Sequence, residues 1–97
     1  MKVYLAGKIS GDPNYRDKFR KAAEQLGEDG NIILNPAILP EGMAPEDYMS
    51  ICLPMLFAAD VVAFLPDSHL SAGARIEYNL AIYINKHIVM LQEEAEK

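Results

Sequence analysis

The sequence has no tryptophan, a single cysteine and two histidines in 97 residues. Cys52 has no partner with which to close a disulfide, so a reducing cytoplasm is the expected location. Neither Cys52 nor the loop histidine His69 has companions at metal-ligand spacing, and no metal or other cofactor is expected. Basic residues are scarce too: nine against 14 acidic give a net charge of −5, which argues against DNA or RNA as a partner. No run is long and apolar enough for a membrane. The longest, Ile51 to Leu65, is broken by Pro54 and Asp60 and falls short of the roughly 20 residues a spanning helix needs. At the N-terminus, "MKVYLAGKISG" meets Lys8 and Ser10 too early for a secretory signal and reads as a strand. Residues 1–97 are expected to form one domain, large enough for a core that needs no staples.

What is present alternates. "KVYLAG" is a buried first strand stopped by Gly7. "DPNYRDKFRKAAEQLGEDG" follows as a helix, with Asp12 as candidate N-cap, Pro13 at its first position and Gly27 or Gly30 at its end. Its apolar residues Tyr15, Phe19, Ala22, Ala23 and Leu26 form one stripe for a sheet to cover. "NIILN" is the second strand, and "PAILPEGMAP" a loop long for a compact α/β protein. "PEDYMSICLPMLFAAD" reads as a helix begun at Pro45 and kinked or split at Pro54. "VVAFL", "SAGARIEYNLAIYINK" and "HIVML" supply a third strand, a third helix and a fourth strand, and "QEEAEK" a solvated tail. The alternation selects a three-layer, flavodoxin- or Rossmann-like open parallel sheet of about four strands. The expected order is 2-1-3-4, with helices on both faces.

In such sheets a ligand sits beyond the C-terminal ends of the strands where the order reverses, here between strands one and three. Two loops face that crevice. "GKISG", Gly7 through Lys8, Ile9 and Ser10 to Gly11, offers backbone N–H groups, a charge and a hydroxyl, the ingredients of an anion cradle. It matches neither the P-loop nor the dinucleotide glycine pattern, so neither an ATPase nor a dehydrogenase is expected, and a plain strand-to-helix turn is the alternative. "SAGARIE" places Ser71 near a helix cap, to hold the helix end or a phosphate oxygen, and Gly73 leaves room beside it. Glu77 follows about one and a half turns in, where the helix dipole weakly favours the ionised form of a nucleophile or base. The alternative is a solvated surface charge. Tyr4, on the first strand, is placed to orient Glu77 or simply to fill core. Asp60 reads as a turn residue away from the crevice, and Met43, Met49 and Met55 as fillers of irregular core or interface.

"VYLAGKISG", "AADVVAFLPDSHLSAGARIE" and "IYINKHIV", in that order over most of the chain, resemble the nucleoside 2-deoxyribosyltransferase-like superfamily, which includes the 2′-deoxynucleoside 5′-monophosphate N-glycosidases. The resemblance implies that Glu77 attacks the anomeric carbon of a deoxyribosyl group and that Tyr4 orients it. It also implies that Ser71 contacts a 5′-phosphate, with "GKISG" on the phosphate side. Three departures accompany it. The family's leaving-group aspartate falls on Cys52, which leaves that proton to His69 or to water. The transferases' aspartate six before the glutamate falls on Ser71, and their C-terminal extension has no counterpart after the fourth strand. A small nucleotide or nucleoside is therefore the expected partner, either cleaved at its N-glycosidic bond or bound by a non-catalytic sensing module. The third helix, with Ile76, Tyr78, Leu80, Ile82, Tyr83 and Ile84, is apolar nearly all round and points to a homodimer.

Overall fold

Every apolar run of the alternating pattern becomes a strand and every periodic stretch a helix. The computed structural model describes residues 1–93, so the expected tail lies outside the described residues from position 94 onward. The order is β1 (Lys2–Ala6), α1 (Tyr15–Gly27), β2 (Ile32–Leu34), α2 (Pro45–Ala58), β3 (Val61–Phe64), α3 (Ala72–Tyr83) and β4 (His87–Met90). Short 3-10 turns at Pro36–Ile38 and Ser68–Leu70 sit in the loops that precede α2 and α3. All pairings are parallel and the sheet runs β2-β1-β3-β4, as expected.

Strand alternation divides the core between two faces of the sheet. Val3, Leu5, Val61 and Ala63 point to the side covered by α1, whose Tyr15, Phe19 and Ala22 form the buried stripe. Tyr4, Ala6, Val62 and Phe64 point to the other side, against Cys52 and Leu56 of α2 and Ala81 of α3. Tyr4 and Val62 are register partners, as are Ala6 and Phe64, so the two central strands end level with each other beneath the crevice.

One helix boundary differs from expectation, and of the two outcomes open at Pro54 the split does not occur. α1 begins at Tyr15 with Asn14 as N-cap, and Asn14 makes no side-chain capping bond. Asp12 instead turns the chain ahead of the helix, its Oδ1 accepting the Asn14 N–H at 2.9 Å, and Pro13 lies within that turn. α2 is a single helix through Pro54 rather than two. Proline at 54 removes the N–H that would meet the Ser50 carbonyl, but Ser50 and Pro54 are both exposed, where a missing helix bond costs least. Cys52 and Leu56 on the opposite side keep the helix seated. The long loop before α2 is tied at several points: Asn35 Oδ1 accepts from Ala37 N, Arg16 donates to the Leu39 carbonyl, and the Tyr48 hydroxyl donates to the Pro40 carbonyl.

Gly7 is where the sheet meets the crevice most tightly. A Cβ at that position would lie 3.0 Å from Leu65 Cβ and 3.1 Å from Phe19 Cζ. Gly7→Ala is therefore expected to cost about 1–3 kcal/mol by overpacking, read as a lower midpoint in thermal or urea denaturation. A midpoint equal to wild type would show that Leu65 and Phe19 give way freely.

Candidate active site

The loops after β1 and β3, together with the N-terminal halves of α2 and α3, enclose a cleft of about 320 Å³. Its size suits a small organic molecule. The first loop brings Gly7, Lys8, Ile9 and Ser10 to the wall. Ser71 and Gly73 come from the start of α3, and Tyr4 and Glu77 lie at the back. Gly11 departs from the expected set, because it lines a neighbouring groove with Asp12, Glu41, Met43 and Tyr48 rather than the cleft itself. Its φ of +79° turns the chain away from the cleft at that point.

Glu77 is not a surface charge. α3 is capped by Ser71, whose Oγ accepts the Ala74 N–H at 3.2 Å. From that start, positions 74, 77 and 81 fall on one helical face, and all three are buried. Glu77 is only 7% exposed, on a face otherwise made of alanines. Its Oε2 accepts a hydrogen bond from the Tyr4 hydroxyl at 2.5 Å, within the range of a hydroxyl bonded to a carboxylate. Tyr4 is 1% exposed, on the central strand β1 between β2 and β3.

The electrostatics differ from the dipole-based expectation. Burial pushes the Glu77 carboxyl up to about 7, and the Tyr4 hydrogen bond only partly opposes it. Loss of hydration thus outweighs the helix dipole. Burial, and next the Glu77 charge, push the Tyr4 phenol far above its ordinary value, so the tyrosine stays a proton donor at any physiological pH. The Cys52 thiol lines the cleft beside them and is pushed up chiefly by burial, so it stays protonated near neutrality. Glu77 is the one carboxylate among the described residues that line the cleft, and Lys8 the one cation.

Removal of the Tyr4 hydroxyl should raise the Glu77 titration midpoint further, because that hydrogen bond is the force holding it down. In Tyr4→Phe, carboxyl-carbon NMR is expected to place the midpoint above that of the wild type by about one unit or more, each unit being about 1.4 kcal/mol. An unchanged midpoint would mean that the hydroxyl does not favour the ionised form.

Several residues fall elsewhere than expected. His69 sits on the exposed 3-10 turn, its Nδ1 at 3.2 Å from the Pro66 carbonyl, and it does not line the cleft. Met49 lines the cleft and Met43 the neighbouring groove, leaving Met55 as the one packed against the core. Asp60, as expected, lies away from the cleft, its carboxylate accepting the Lys2 amide N–H at the far end of the sheet. Tyr48, absent from the expected set, forms part of the cleft wall. Its signal was the α2 stripe of Pro45, Tyr48, Met49 and Cys52, at spacings of three and four, continuing beyond the core. Among the described residues no cluster of three histidine, cysteine, aspartate or glutamate side chains is placed to hold a metal, and no helix is long and apolar enough to cross a membrane.

The model of a family described as a domain of unknown function, DUF4406, matches residues 1–90. No curated protein matches the chain. Among solved structures, a 2-deoxyribosyltransferase from the psychrotolerant bacterium Bacillus psychrosaccharolyticus, described as a biocatalyst for nucleoside synthesis, shares the fold. The TM-score is 0.74 at 18% identity, over 99% of this chain and 77% of the other.

Proposed function

Because the chain belongs to a family of unknown function, DUF4406, we propose its reaction from its own cleft: cleavage of the N-glycosidic bond of a 2′-deoxynucleoside 5′-monophosphate or a related nucleotide. The observation that carries this reading is the buried Glu77, hydrogen-bonded to Tyr4, at the back of a cleft whose mouth is formed by two small-residue loops. The Glu77 carboxylate attacks the anomeric carbon as the carbon–nitrogen bond breaks. The base leaves with the bonding electrons and takes up a proton from solvent water, balanced by the proton that the attacking water loses in the next step. Water then attacks the same carbon, releasing sugar phosphate and the free carboxylate, a double displacement through an oxocarbenium-like transition state. Tyr4 holds the carboxylate in line. The Lys8 ammonium, the Ser10 hydroxyl and the amides of Ile9 and Ser10 meet the anionic end of the ligand, with Ser71 and Gly73 opposite. The deoxyribosyltransferase fold of the Bacillus protein supports this chemistry by analogy of architecture.

The test is a chromatographic assay for free base with deoxyribo- and ribonucleosides and their 5′-monophosphates, using wild type and Glu77→Gln. Base is expected from a deoxynucleoside monophosphate with the wild type alone. Base released equally by both proteins would remove Glu77 from the reaction.

One observation favours a second reading, a nucleotide-binding module without turnover. Retaining glycosidases pair two carboxyl groups, whereas here Cys52 stands beside Glu77 and no second carboxylate among the described residues lines the cleft. Calorimetric binding of the same nucleotides with no base released would select that reading. Under either reading we propose a two-fold homodimer through the outer face of α3, where Ile76 is 54%, Ile82 50% and Tyr83 86% exposed. Light scattering is expected to give twice the mass of the 10.8 kDa chain, and a monomer at high concentration would contradict it.

A further inference from the structure

Lys18, on the first turn of α1, reaches back between two loops. Its ammonium pairs with Asp12 in the loop after β1 and with Asp67 in the loop after β3. Asp67 is engaged twice, since its Oδ1 also accepts the Lys8 amide N–H at 3.3 Å. Asp12 is likewise engaged twice, through Lys18 and through the Asn14 N–H. The segment from Lys8 to Asp12 is therefore pinned at both ends, and the residues between, Ile9, Ser10 and Gly11, form the part that meets the cleft and its neighbouring groove. The two loops so joined are those that flank the crevice from β1 and β3. The carboxylates are mostly covered, with side-chain exposures of 16% for Asp12 and 20% for Asp67, while Lys18 between them is 38% exposed, so water and salt screen the bridge in part.

We propose that Asp67 is a positioning residue: through Lys18 and the Lys8 amide it holds the two loops at a fixed separation and keeps the Ile9–Gly11 amides ordered for an anionic ligand. Ordering a loop on binding costs affinity, so a loop ordered beforehand binds more tightly without changing the bond-breaking step at Glu77. The effect belongs in KM and not in kcat. No part of the sequence pattern marks Asp67 for this, because its partners lie 49 and 59 residues away. The kinetic half of the inference rests on the glycosidase reading; the structural half stands without it.

The test uses the full chain with Asp67→Asn, which keeps the shape and removes the charge, and with Lys18→Met, which keeps the apolar stem and spares the Asp67 bond to Lys8. Hydrogen exchange by mass spectrometry reads the loop. Asp67→Asn is expected to speed exchange in the segment 8–12 about tenfold while the α1 segment 19–26 is unchanged. Lys18→Met should do the same to a smaller extent, and Lys18→Arg should stay near wild type. In the base-release assay KM for the deoxynucleoside monophosphate is expected to rise about tenfold with kcat within threefold. A merely structural role would lower the melting temperature and leave KM in place, which would overturn the proposal, as would unchanged exchange in both charge-removing variants. If the wild type releases no base from any nucleotide, the glycosidase reading falls and the exchange result alone decides the clamp. Should Asp67→Asn fail to fold, Lys18→Met carries both measurements.

Discussion

Glu77→Gln should lower base release by more than about a thousandfold while leaving the fold intact. Glutamine has the same shape and still accepts the Tyr4 hydrogen bond, but its amide is too weak a nucleophile to form the glycosyl ester. Losses of this size are usual when the nucleophile of a two-step mechanism is removed, and what remains reflects binding and electrostatics alone. The pH profile adds a second signature. The attacking form is the carboxylate, and burial holds the carboxyl at about 7. Base release by the wild type is therefore expected to fall about tenfold per unit below neutrality and to level off above it. Measuring kcat/KM from pH 5 to 9 checks this. A profile flat through 7 would place the rate-controlling ionisation on another group.

The same substitution should stabilise the protein. In the unfolded chain Glu77 titrates near its ordinary 4.5, and in the folded protein near 7. Below 4.5 both states carry the proton and the group contributes no difference. Between these values the folded state keeps a proton that the unfolded state has lost, so stability falls as pH rises, by about 1.4 kcal/mol per unit. Above 7 the whole cost of an ionised, buried carboxylate is present, about 3 kcal/mol. Glutamine does not titrate and avoids that cost. Urea denaturation is expected to show Glu77→Gln more stable than wild type by up to about 3 kcal/mol at pH 8, with the gap closing toward pH 4.5. A gap that does not vary with pH would contradict this electrostatic account. The expectation bears on function because a side chain whose charge destabilises the fold fits a site kept for chemistry.

The fold was legible because its signals are local. Apolar runs of four or five residues, each followed by a helical stripe, leave few topologies once crossovers are right-handed, and the order β2-β1-β3-β4 follows. Errors came where one residue had two local uses. Asp12 before Pro13 reads equally as a cap or a turn, and only the docking of Tyr15 against the sheet fixes the helix start. Pro54 forbids a hydrogen bond but does not say that it lies on the exposed side of its helix, where the helix runs on.

For the candidate site, Tyr4 and Glu77 lie 73 residues apart, and their contact was legible only through topology and resemblance. The upward displacement of the Glu77 carboxyl was not legible, because it arises from burial among Ala74, Ala81 and the sheet. Tyr48 was missed because its period matches any buried stripe. Asp67 was missed because the bridge through Lys18 joins three separate segments.

The most direct test of the account is intact-mass spectrometry of wild-type protein quenched in acid during turnover of a deoxynucleoside 5′-monophosphate. A species heavier by one deoxyribosyl phosphate group, mapping to the peptide that contains Glu77 and absent from Glu77→Gln, is the predicted result. Base release without any adduct in the wild type, or an adduct on another residue, would contradict Glu77 as the nucleophile.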